Sequence, residues 1–65
     1  MNINDRCIVS PDSPINKNRV GYFQFTEGRF TALTEKPDTE EDPATRWFTV
    51  DSQFVNLDTN KEEVP

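Results

Sequence analysis

An all-β fold of five short strands is what this 65-residue chain predicts. Three observations point there. No stretch repeats its apolar residues at helical spacing. Wherever apolar residues cluster, β-branched and aromatic types dominate, as on a pleated, half-buried surface. Proline, glycine, asparagine and aspartate cut these clusters into runs of strand length. Five short strands are too few for a two-sheet sandwich, and curling into a small barrel best hides their edges.

The elements follow in order. "RCIVSP" (residues 6–11) reads as the first strand, stopped by the two prolines of "SPDSP", and "INKNR" continues as a long polar first loop. "VGYFQFT" and "RFTALTE" read as a β-hairpin about Glu27 and Gly28. A two-residue turn there sets Phe25 opposite Phe30 and Phe23 opposite Ala32 on one face, with Gln24 and Thr31 on the other. A one-residue slip would exchange the faces. "KPDTEEDPA" is an acidic loop between Pro37 and Pro43, where Asp42 and Pro43 could start one helical turn at most. "TRWFTVD" is the fourth strand, "SQF" a tight turn and "VNLD" a short closing strand. The expected organisation is one domain over residues 1–58 and a polar, acidic tail over 59–65. This order resembles the SH3-like barrel, with a long first loop, an acidic loop before strand 4 and Ser52 to Phe54 in place of that fold's single helical turn. A shared fold carries no function by itself.

Composition narrows the chemistry. Cys7 is the only cysteine and histidine is absent, so neither an internal disulfide nor an ordinary zinc site is expected, and no cofactor is implied. A domain this small without a disulfide framework suits a reducing, cytoplasmic setting. No basic stretch followed by an apolar core opens the chain, and no apolar run is long enough to span a bilayer. The net charge is −5, with +1 on residues 1–34 and −6 on residues 35–65. Such a chain is not expected to bind duplex DNA, which selects cations.

Catalysis is not expected either. Ser10, Ser13 and Ser52 have no histidine to activate them, and two glycines cannot build a phosphate cradle. Cys7 alternates with Val9 and reads as a small buried hydrophobe. "DTNKEE" (residues 58–63) echoes the start of a calcium loop, but lacks its glycine and distal glutamate.

Binding is the remaining class. With Phe48 and Val50 pointing inward, Trp47 points outward beside Tyr22 and Leu33 of the hairpin, or lies beneath a loop or the tail. The first arrangement makes Trp47, Tyr22 and Leu33 the apolar anchors of a protein-binding or self-associating surface, with Glu40, Glu41 and Asp42 as a charged rim. Asp38 and its acidic neighbours otherwise read as a solvated loop, held open by repulsion and two prolines. "RVGYFQF" partly resembles the RNA-binding signature of RRM and cold-shock sheets, which implies a second function: stacking of single-stranded nucleic acid on Tyr22, Phe23 and Phe25. Small solitary acidic proteins also look like phage or mobile-element products that block a host enzyme.

Overall fold

The computed structural model describes residues 1–58; the tail expected over 59–65, and with it most of the calcium-like stretch, lies outside them. Five strands form one antiparallel sheet: β1 (Arg6–Val9), β2 (Val20–Glu27), β3 (Phe30–Thr34), β4 (Trp47–Asp51) and β5 (Val55–Leu57). Their spatial order is β4-β3-β2-β1-β5. A 3-10 turn, Ser52–Phe54, links β4 to β5. Among the described residues the sheet is not closed: β4 and β5 are its two edges. No helical turn follows Asp42 and Pro43, and no helix among the described residues is long and apolar enough to cross a membrane.

The core lies on one face of this sheet. Cys7, Val9, Leu33 and Val50 are fully buried there, with Phe23, Phe48, Phe54 and Val55 packed against them. Phe48 sits between two unlike neighbours. The Arg19 guanidinium lies 4.0 Å from its ring centroid, while a Cβ at Gly21 would come within 2.8 Å of its Cζ. Thr31 also faces inward, and its Oγ1 lies 2.8 Å from Ser52 Oγ and 3.2 Å from Thr26 Oγ1. Burial pushes the Cys7 thiol above its ordinary pKa, aided by the nearby Asp5 carboxylate. It therefore stays a neutral, buried group.

The hairpin departs from the expected register, for two physical reasons. Its two turn residues are Gly28 and Arg29, not Glu27 and Gly28, because Glu27 pairs with Phe30. Gly28 has φ +62, which glycine supplies at the first position of a type II′ turn. Farther on, the pairing runs Thr26 with Thr31, Phe25 with Ala32, then Phe23 with Leu33, so Gln24 is a bulge. A bulge inserts one unpaired residue and breaks the strict alternation of faces. Phe23 therefore points into the core while Phe25, two residues on, points out.

Five expectations are corrected by that bulge. Phe25 and Phe30 are exposed rather than central, and Leu33 is core rather than surface. Ala32 lies on the outer face, although buried there. Thr31 replaces it on the inner one.

Candidate interaction face

The outer face of the sheet divides into a polar half and an aromatic half. The polar half is built around Gln24, which the bulge turns outward but which remains buried. Its Nε2 donates to Asn4 Oδ1 at 3.0 Å and to Thr34 Oγ1 at 3.2 Å. Asn4 Oδ1 also accepts from the Asp38 N–H at 2.9 Å, and Asn4 Nδ2 donates to Asp38 C=O at 3.0 Å. Thr34 Oγ1 donates to Lys36 C=O at 2.6 Å. One amide thus fastens the N-terminal turn and the start of the acidic loop to the sheet.

That loop is structured rather than splayed. Asp38 Oδ1 accepts from the Ala44 N–H at 2.8 Å. Asp42 takes an ion pair from Lys36 at 2.6 Å and donates its own N–H to Thr39 Oγ1 at 2.9 Å. Glu40 and Glu41 stay exposed and make no ion pair among the described residues. The loop leaves at Thr34 and returns at Trp47, which pair with each other, so its acids stand at the Trp47 end of the sheet. A cleft of about 330 Å³ lies at its base, lined by Glu35, Lys36, Thr45 and Arg46. Glu35 pairs with Arg19 and Lys36 with Asp42.

The aromatic half carries the apolar surface. Phe25 is 50 % exposed, Phe30 52 % and Trp47 49 %. Phe25 and Trp47 approach with centroids 6.3 Å apart and planes tilted by 47°. Paired across β3 through Ala32, β2 and β4 put Phe25 and Thr49 on this face. The small Ala32 side chain leaves room for the flanking rings. Phe30 lies between Glu27 on β2 and Asp51 on β4, with the Arg29 guanidinium 5.5 Å from its centroid. Tyr22 shares the face through its pairing with Thr34 and is half-buried.

Of the residues chosen from sequence, the structure therefore brings Trp47 and Tyr22 to one face and keeps the acidic residues at its end. Leu33 is 0 % exposed and leaves the set. The proposed stacking row is divided: Tyr22 and Phe25 face outward, but Phe23 faces the core. Phe25 and Phe30 join the surface instead. Gly28 signals the later turn, which moves each cross-strand partner by two residues and so keeps Phe25, Phe30 and Ala32 on one face; the unpaired Gln24, which no turn former marks, is what sends that face outward.

Among the described residues no group of three His, Cys, Asp or Glu side chains could hold a metal ion. No family model matches the chain, and no curated protein or solved structure was found to be similar to it.

Proposed function

We propose that this protein is a non-catalytic interaction module that docks a cation-bearing segment of another protein on its outer aromatic face. The observation that carries the proposal is the half-exposure of Phe25, Phe30 and Trp47 together, on the face turned away from the core. Exposed rings gathered this way are the surface from which binding hot spots are drawn. Glu27, Asp51 and the loop acids Glu40 and Glu41 supply a rim, and the net charge of −5 favours encounter with a basic partner. The strand order, with a 3-10 turn between the two edge strands, supports reading the fold as an SH3-like barrel left open between β4 and β5. A cytoplasmic setting keeps Cys7 reduced. The small acidic format suits a phage or mobile-element accessory protein that occupies a basic surface of a host enzyme.

The test is an array of peptides combining Lys or Arg with apolar residues, probed with labelled wild type, Trp47→Ser and Phe30→Ser. Both variants are expected to stay folded, with stability lowered by about 1–2 kcal/mol for the covered half of each ring, and to lose the peptides that wild type retains. Unfolding of Trp47→Ser would place the indole in the structural core and end the proposal. Retention of single-stranded oligonucleotides at low salt, with no peptide retained, would transfer these rings to nucleic-acid stacking.

A further inference from the structure

We propose that the chain forms a two-fold homodimer by antiparallel pairing of β4 with β4 of a second copy. The proposal uses main-chain groups and does not rest on the aromatic face.

The direction of the free groups follows from the β3–β4 ladder. The Glu35 N–H donates to Arg46 C=O, and the Ser52 N–H donates to Arg29 C=O at 2.7 Å. Bonded pairs alternate along an antiparallel ladder. Phe48 and Val50 therefore turn their N–H and C=O groups toward β3. Trp47 and Thr49 turn theirs to the open edge, as does the Asp51 N–H. Among the described residues no strand lies beyond β4, and "WFTVD" holds no proline, lysine or bulge to guard this edge, only the terminal charge of Asp51. The opposite edge, β5, is guarded by its length of three residues.

The outward groups match a second copy of themselves. Centred on Thr49, antiparallel pairing lets the two Thr49 residues exchange N–H···O=C bonds. Each Asp51 N–H then reaches the opposite Trp47 C=O. On the core face, half-buried Phe48 falls beside Val50 of the other copy, which extends both cores across the seam. On the outer face, Trp47 meets the Arg29–Asp51 ion pair of the other copy, where the guanidinium can approach the indole. Opposing all this is the charge of −5 on each chain, so association strengthens as salt screens that repulsion.

Sedimentation equilibrium across a dilution series is expected to show the mass rising from monomer toward dimer and no further, at lower concentration in higher salt. Thr49→Lys sets two ammonium groups opposite each other on the two-fold axis and should hold the mass at monomer. Its exposed position leaves the fold intact, checked by circular dichroism. Thr49→Pro removes the outward N–H without touching the β3 ladder and should do the same. Wild type that stays monomeric throughout would overturn the proposal. So would a Thr49→Lys variant that associates like wild type, or growth of wild type beyond dimer.

Discussion

Asp51 ends β4 and caps the 3-10 turn that follows. Its Oδ1 accepts from the Gln53 N–H at 3.2 Å, and its Oδ2 accepts from Arg29 Nη2 at 3.0 Å. These two sources, the backbone N–H first and the guanidinium second, hold its carboxyl below the usual aspartate range. A carboxyl with a lowered folded-state pKa stabilises the fold wherever it is ionised in both states. That contribution begins to fade as pH falls below the unfolded value, about 4, and is gone below the folded one. Asp51→Asn keeps an acceptor for the cap but cannot ionise. Its melting temperature should therefore lie below that of wild type at neutral pH and converge with it in acid. Thermal melts between neutral and strongly acidic buffer check this, and two curves separated by the same interval throughout would contradict it.

At the scale of elements, the bulge in β2 sets which surface the hairpin presents. Gln24 occupies it and binds Asn4 and Thr34, and through them Asp38 and Lys36. Gln24→Ala leaves Thr34 and Asn4 without their shared donor in a buried setting, which costs about 1–3 kcal/mol. The Asp38 and Ala44 amides should then exchange with deuterium faster than those of β3, since the loop has lost its fastening but the ladder has not. Equal acceleration at both places would mean that the amide supports the whole fold. The same bulge shows where sequence reasoning stopped. All five strands and the 3-10 turn were legible, because each carries its own run of β-branched and aromatic residues ended by a turn former. Phe48 and Val50 were legible as inward, since β4 alternates without interruption. The faces of Phe25, Phe30, Ala32 and Leu33 were not. They depend on one extra residue, the unpaired Gln24, which leaves the apolar pattern of the strands themselves unaltered. The link from Gln24 to Asn4 and Asp38 was also invisible, because it joins polar residues 20 and 14 positions away along the chain.

For the molecule as a whole, stability rests on very little apolar volume. The fully buried hydrophobic side chains are small or medium in size, and the larger rings are only partly covered. A chain of this length has a total stability of roughly 3–10 kcal/mol, while removing a buried leucine side chain costs about 2–5 kcal/mol. Leu33 pairs with Phe23 on one side and Phe48 on the other, so its loss opens the centre of the core. Leu33→Ala should unfold at much lower urea than wild type, or be unfolded without it. Phe25→Ala removes a larger but half-exposed side chain and should move the urea midpoint far less. The uninterrupted alternation first read from the sequence gives the opposite order, with Phe25 essential and Leu33 dispensable. Urea titrations of these two variants therefore separate the bulged register from the regular one, and a Phe25→Ala midpoint below that of Leu33→Ala would reject the face assignment on which the aromatic surface depends.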